Sequence, residues 1–315
     1  MRPEGCAAHE RRQRQSVSAA RPPYTGGPRY VPATSWSSPR PRAGSSRVRN
    51  HCSPAVWRYS SGWVSACGSA RWSTRRRNRW WASGTPAEQA DELNALLRDP
   101  EVRAIVAHTG GQATIGYLDL IDLDAIRADP KPILGYSDIS LLHMALYAKT
   151  GLVGFHADIA THGFGSDWYT LGDEARRSEL VDLYTRVLAK AEAPGVLPAR
   201  GAWETWRPGR AQGPLFGGLP NRLVLLPLRL SGVLDRIAGM VVGIPTEVTP
   251  HEGGGAHAGL RDVVLDVLAQ RDIPVLAQVD FGHTSPNLPL PIGVRAHVDA
   301  DNRTLSLLES AVAEG

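Results

Sequence analysis

Residues 1–84 contain no Leu, Ile, Phe or Lys. Such a segment cannot bury enough apolar surface to offset its own ordering entropy, so any fold must be built from the rest of the chain. The same stretch holds 16 Arg against 2 acids, a net of +14, whereas residues 85–315 hold 19 Lys and Arg against 29 acids, a net of −10. The +4 of the whole chain therefore averages two unlike parts. All three cysteines (Cys6, Cys52, Cys67) and six of the nine tryptophans lie in the first part. It reads as a disordered tail akin to an Arg-rich, acid-poor transit peptide, as a basic arm with Trp for stacking on nucleic acid, or as GC-rich coding DNA read out of frame. The abrupt change at "SGTPAEQADELNALL", with no linker before it, favours the out-of-frame reading. Scattered charges and Pro22, Pro23, Pro28 and Pro32 speak against a nucleic-acid arm. The cysteines lack metal-ligand spacing and are too few for a disulfide framework. No run of 18 apolar residues and no signal-like h-region after Met1 are visible, so the expectation is a cytoplasmic protein without a membrane contact.

From Thr85 the pattern becomes regular. Thr85 caps and Pro86 starts a helix through about Arg98. "VRAIVAH" (102–108) predicts a buried strand running into Gly110-Gly111. "LIDLDAIRAD" predicts a short helix, "KPILGY" (131–136) a strand, "DISLLHMALYAKTG" a helix stopped by Gly151, and "LVGF" (152–155) a further strand. Helices alternating with short apolar strands predict an α/β fold with a parallel sheet. A polar-faced helix is expected over 172–192, and the Pro/Gly/Trp stretch 193–212 reads as a linker. A smaller mixed α/β domain over 213–315 should then carry a helix at about 229–237, a strand 239–244, a helix 257–270, a strand 274–280 and late strands near 291–297 and 303–309. The domains so defined are 85–192, truncated at its start, and 213–315.

In parallel sheets the reactive groups sit beyond the carboxyl ends of strands. Ser137, in "ILGYSDIS", falls there between a strand and a helix. It is either a nucleophile, with the Asp138 amide at the helix N-terminus favouring an oxyanion, or an N-cap. The Gly-x-Ser-x-Gly pattern of α/β-hydrolases is absent. Gly110-Gly111 either lets backbone approach a substrate or makes a tight turn, and no Gly-x-Gly-x-x-Gly loop for a dinucleotide is present. His283, in "VDFGHTSPNLPLPIG" (279–293), is a general-base candidate or a solvated loop residue. His251, Glu252 and His257 match no zinc spacing.

Taken in order, "GG", "DLDAIRADPKPILGYSDIS", "GLVGFHAD", "GPLFGG" and "FGHTSPNLPLPIG" resemble the serine peptidases that include murein tetrapeptide LD-carboxypeptidases and the microcin C immunity peptidase, over about 85–315. The stretch "WETWRPGRAQGPLFGG" is similar to the microcin-immunity branch, in which aromatic residues of that loop contact the substrate. The resemblance implies Ser137 as nucleophile and His283 as its base. It implies an oxyanion hole of backbone N–H groups near Gly111 and Asp138, and Trp206 as a substrate contact. It implies no metal or organic cofactor, and a small peptide or peptide-conjugate substrate cut at an amide next to a free C-terminal residue. Relatives of this kind often dimerise, so a homodimer is an expectation.

The pattern is incomplete. The family triad adds a Glu in a stretch resembling "ILFLEDVGE", but here "GGLPNRLVLL" (217–226) runs directly into "PLRLSGVLDRIAG" (227–239). The junction falls near Leu226-Pro227, and Glu247 and Glu252 downstream are the remaining candidates for an orienting acid. The first strand and helix of the family are also replaced by the Arg/Trp segment. The expectation is therefore an impaired hydrolase, or a non-catalytic relative that binds cell-wall peptide or peptide-nucleotide ligands.

Overall fold

The computed structural model describes residues 84–107, 110–157, 174–217, 222–245, 259–284 and 287–313. The Arg/Trp segment and the loops carrying Glu247 and Glu252 lie outside the described residues.

The first described element is α1 (Pro86–Arg98). Thr85 and Glu88 form a reciprocal capping box, and Pro86 occupies the first turn, where its missing N–H costs nothing. β1 (Ile105–Val106) follows, shorter than its apolar run predicts. Two short 3₁₀ turns, Thr114–Gly116 and Leu118–Leu120, lead to α2 (Leu123–Ala128), whose N-cap Asp122 accepts from Asp124 N and Ala125 N. β2 (Ile133–Gly135) is buried at all three residues and feeds α3 (Ile139–Thr150). Gly151, in the left-handed conformation at φ 79°, ends α3. β3 (Gly154–His156) and α4 (Glu174–Leu188) complete this half.

β1, β2 and β3 are parallel, as the alternation predicts. The fourth strand of their sheet comes from far along the chain. β9 (Leu290–Ile292) pairs antiparallel with β3, with Phe155 opposite Pro291 and His156 opposite Leu290. Pro291 cannot donate to a ladder, and β9 is the edge of the sheet order β1-β2-β3-β9, where a proline is tolerated.

The stretch expected to be a linker is instead part of two sheets. β4 (Gly195–Val196) and β6 (Arg210–Pro214) join β10 (Arg295–Asp299) and β11 (Thr304–Leu307) in an antiparallel sheet of order β4-β11-β10-β6. β5 (Glu204–Arg207) pairs with β8 (Val275–Gly282), which lies parallel to β7 (Met240–Ile244). The Pro and Gly content that suggests a linker sits in the turns between these strands. The helix expected at 229–237 lies earlier, as α5 (Arg222–Leu230), followed by a 3₁₀ turn Val233–Asp235; Pro227 is inside α5. α6 (Leu260–Leu268) then packs Val264, Val267 and Leu268 into the core.

One core cluster unites the two halves. Leu134 and Phe155 of the first sheet, Leu183 and Val187 of α4, and Leu276, Val279, Leu290, Val298 and Leu305 of the later strands pack together. Two polar anchors brace the core, one beside the separate cluster of Leu97 and Ile133 and one at Trp203 of the uniting cluster. Lys131 Nζ donates to Leu97 O at 2.6 Å and to Asp129 Oδ2 at 2.7 Å, tying the end of α1 to the start of β2. Asp280, at 5% exposure, accepts at Oδ2 from Arg200 N (2.8 Å), Gly201 N (3.2 Å) and Trp203 Nε1 (2.8 Å).

Removing the Asp280 carboxylate strands three donors. Asp280→Ala should therefore lower the unfolding free energy by about 3 kcal/mol, and Asp280→Asn by less, because its amide oxygen still accepts; urea denaturation measures both. His143, buried on α3, gives a second expectation. Burial pushes its imidazole down to about 3, with His156 adding repulsion and the Ile133 backbone pulling the other way. The folded value lies below the unfolded one near 6.5, so this stability is present above about pH 6.5 and is lost as pH falls towards 3. From pH 7 to pH 5 the loss is about 2 kcal/mol, and it should vanish in His143→Met when urea midpoints are compared at the two pH values.

Candidate active site

Ser137 stands between β2 and α3 with φ 59°, a left-handed conformation that a serine adopts at a cost of order 1 kcal/mol. Its hydroxyl does not cap α3: among the described residues Ser137 Oγ makes no hydrogen bond, and the α3 N-terminus has no side-chain cap. The turn is closed by backbone instead, with Ile139 N donating to Tyr136 O and Ser140 N to Ser137 O. The strained turn thus presents a half-buried hydroxyl at the carboxyl end of a buried strand.

The Gly110-Gly111 loop lies against this turn. A Cβ on Gly110 would meet Ser137 Cβ at 2.9 Å, Asp138 N at 3.0 Å and Ser137 Oγ at 3.2 Å, so only glycine lets the two segments approach this closely. Exposed Gly111 lies beside the Asp138 carboxylate, where a Cβ would sit 3.9 Å from Oδ2. Asp138 locks the loop in place. Its Oδ2 accepts from Ala113 N at 3.0 Å, Thr114 N at 3.0 Å and Thr114 Oγ1 at 2.8 Å. Thr114 in turn meets the Tyr117 hydroxyl, which burial raises above its usual range. The stretch that follows Gly110-Gly111 is therefore tied to the residue at the start of α3 by a single carboxylate.

His283 arrives from the other half. It follows Gly282, the last residue of β8, which has φ 110°. Asn287 clamps the loop: its Nδ2 donates to Gly282 O at 2.9 Å and its Oδ1 accepts from Gly282 N at 3.2 Å. Leu288 N donates to Asp280 O, and the Tyr184 hydroxyl holds Asn287 O. Two residues beyond Leu288 the chain enters β9 in the Ser137 sheet. The exposed His283 ring then rests against Tyr136, the residue preceding Ser137, with ring centroids 5.1 Å apart. Among the described residues His283 makes no hydrogen bond or ion pair with a carboxylate.

Of the residues singled out in the sequence, the structure brings Gly111, Ser137, Asp138 and His283 into one neighbourhood. Trp206 is placed elsewhere. It is 7% exposed on β5, packed with Leu225, Leu234, Val242 and Val275, and its Nε1 donates to Glu204 Oε2. The side chains of Asp138 and Tyr136 carry structural roles that the sequence did not single out. Their contacts are made across long stretches of chain, although both lie beside Ser137. Among the described residues no group of three or more His, Cys, Asp or Glu is placed to hold a metal, and no helix is long and apolar enough to cross a membrane.

These features define an α/β protein of two parts in which the Ser137 turn beyond β2 and the His283 loop beyond β8 meet. The sequence profile of the LD-carboxypeptidase N-terminal domain matches residues 42–157, and that of the C-terminal domain matches residues 222–298. The chain belongs to the LD-carboxypeptidase family. The first match reaches back to residue 42, ahead of the regular sequence that begins at Thr85. Among its relatives is a Vibrio cholerae protein named as a carboxypeptidase, 30% identical over 279 residues, taking in 73% of this chain and 82% of the relative. The microcin C7 self-immunity protein MccF of Escherichia coli is 28% identical over 294 residues, covering 73% of this chain and 80% of its own. A solved structure of MccF in complex with aspartyl sulfamoyl adenosine has the same fold, with a TM-score of 0.66 at 24% identity, covering 78% of this chain and 87% of that one. Family membership and these relatives support a peptidase-type function.

The packing of Gly110 on Ser137 gives a direct test. Gly110→Ala should remove most of any hydrolysis and also lower stability by about 1–3 kcal/mol, because its methyl group must push aside Ser137 Cβ and the Asp138 backbone; Asp138→Ala should cost about 10²–10³ in kcat by releasing the loop. Steady-state kinetics alongside thermal unfolding distinguishes these outcomes from misfolding.

Proposed function

We propose that this protein is a serine-type carboxypeptidase acting on the amide bond next to a free C-terminal residue, in a murein tetrapeptide or a microcin C-like peptide conjugate. The observation that carries the reading is the strained, uncapped Ser137 turn, with Gly110 packed on its hydroxyl and the His283 loop resting on the adjacent Tyr136.

In this reading Ser137 Oγ attacks the amide carbonyl and its proton passes to His283. The tetrahedral oxyanion is met by backbone N–H groups at Gly111 and Asp138, where the positive end of α3 adds to the stabilisation. His283 then protonates the leaving amine, and water, deprotonated by the same imidazole, frees the acyl group from Ser137. No residue in this scheme requires a cofactor. The protein works in the cytoplasm on small peptide substrates.

A second reading has its own support. His283 lacks a carboxylate partner among the described residues, and the Glu-bearing stretch of the family pattern is missing at Leu226-Pro227, which now lies inside α5. The 279 aligned residues of the Vibrio comparison also outnumber those that 73% of this chain supplies, so that relative carries residues this chain lacks. On this reading the same cleft binds cell-wall peptide or peptide-nucleotide ligands without turnover.

Incubation of the full chain with a murein tetrapeptide and, separately, with an aminoacyl sulfamoyl adenosine tests both. Mass spectrometry should detect the shortened peptide or the freed amino acid, and Ser137→Ala should remove it. Hydrolysis that survives Ser137→Ala refutes the nucleophile assignment. Ligand-dependent thermal stabilisation without any product favours the binding protein.

A further inference from the structure

Tyr136 is buried, and it immediately precedes Ser137. Its ring meets His283 edge to face, with centroids 5.1 Å apart and planes at 68°. It also meets His156 at 6.3 Å and 79°, and His156 meets Phe281 at 5.8 Å and 87°. Phe281 and His283 flank Gly282 at the end of β8. Three ring contacts, closed by the Phe281-Gly282-His283 backbone, make a circuit through the ends of β2, β3 and β8. Ser140 Oγ, on the second residue of α3, lies 3.4 Å from His156 Nδ1 and ties the circuit to the helix that begins beyond Ser137.

An imidazole held by no hydrogen bond is oriented by what it packs against. Edge-to-face contacts favour particular ring orientations, and among the described residues the Tyr136 ring is an aromatic neighbour of His283. Because Tyr136 and Ser137 are consecutive residues of one turn, whatever fixes the His283 ring on Tyr136 also fixes it relative to the hydroxyl. We propose that Tyr136 is a positioning residue: its ring holds the His283 imidazole where it can take the Ser137 proton, and His156, itself packed on Phe281, backs that ring. The inference rests on the Ser–His reading above, and it adds the group that orients the base in a chain whose described residues give that base no carboxylate.

A fluorophosphonate probe on the full chain tests it without depending on the identity of the substrate. In the labelling step the Ser137 Oγ–P bond forms, the P–F bond breaks, fluoride leaves, and the serine proton passes to His283. Tyr136→Leu should slow labelling by up to about 10-fold. Tyr136→Phe, which restores the ring, should recover most of the lost rate. With a hydrolysed substrate, Tyr136→Leu should lower kcat far more than it changes KM. Should Tyr136→Leu fail to fold by circular dichroism, His156→Leu removes the backing of the ring and should slow labelling by a smaller factor. Equal labelling of wild type and a folded Tyr136→Leu overturns the inference alone, as does a Tyr136→Phe rate as low as that of Tyr136→Leu. If wild type takes up no probe at Ser137, the Ser–His reading fails and the inference falls with it.

Discussion

The antiparallel pairing of β3 with β9 is the constraint on which the candidate site depends. Three residue pairs, Gly154 with Ile292, Phe155 with Pro291 and His156 with Leu290, stitch a strand from the second half of the chain to the edge of the first sheet. The His283 loop is the span between β8 and β9, so its two ends are anchored in different sheets. A slip of one residue in this register would turn every β9 side chain to the opposite face. It would also drag the loop about 3.3 Å along the strand, enough to part His283 from Tyr136. The shared core prevents this, because Phe155 and Leu290 are buried in the same cluster.

The two sides of the site are held by different physics. On the serine side, a left-handed residue is kept in place by what surrounds it: a buried strand before it, α3 after it, and the Asp138 carboxylate receiving three donors from the facing loop. Hydrogen bonds to a charged acceptor are worth about 1.5–3 kcal/mol each, so the set outweighs the roughly 1 kcal/mol of backbone strain. On the histidine side, the backbone is fixed by the Asn287 amide and by Asp280, but the imidazole itself is exposed and held by ring packing. The first arrangement is rigid because it is charged and enclosed. The second leaves the imidazole reachable from solvent.

How much of this was legible in the sequence follows from the range of the interactions. α1, with its Thr85-Pro86-Glu88 start, and α3, with its Gly151 stop, are written in local signals and appear where expected. The parallel β1-β2-β3 arrangement follows from the alternation of elements. The segment 193–212 misleads because its strands are short and rich in Gly, Pro and Arg, and they are stabilised by partners 70 or more residues away, as in Glu204 with Ala277 and Arg210 with Asp299. Trp206 shows the same limit: the resemblance of its loop implies a substrate contact, whereas β5 turns its side chain into the core. The roles of Asp138 and Asp280 could not be read locally, since their hydrogen-bond partners lie 24–25 and 77–80 residues away in sequence. What local pattern did carry was the position of Ser137 and His283 beyond the carboxyl ends of strands, because that depends only on where a strand stops.

On the proposed Ser137–His283 reading, the lack of a carboxylate beside His283 among the described residues can be weighed against what remains. An orienting carboxylate does two things for a catalytic imidazole: it fixes the tautomer and orientation of the ring, and it stabilises the imidazolium formed as the serine loses its proton. The Tyr136 ring and the Asn287-clamped loop supply orientation. They supply no full negative charge, and an edge-to-face contact is worth about 0.5–1.5 kcal/mol, roughly tenfold in rate. Loss of a triad acid costs on the order of 10⁴. Packing therefore recovers a minor part of the deficit, and the greater part is electrostatic. An intact oxyanion hole and substrate binding still leave about 10³–10⁴ over the uncatalysed reaction in triads that have lost a member. On the proposed Ser137–His283 reading, slow turnover rather than none is therefore the expectation, with the rate set by the charge beside His283 more than by the geometry of the Ser137 turn.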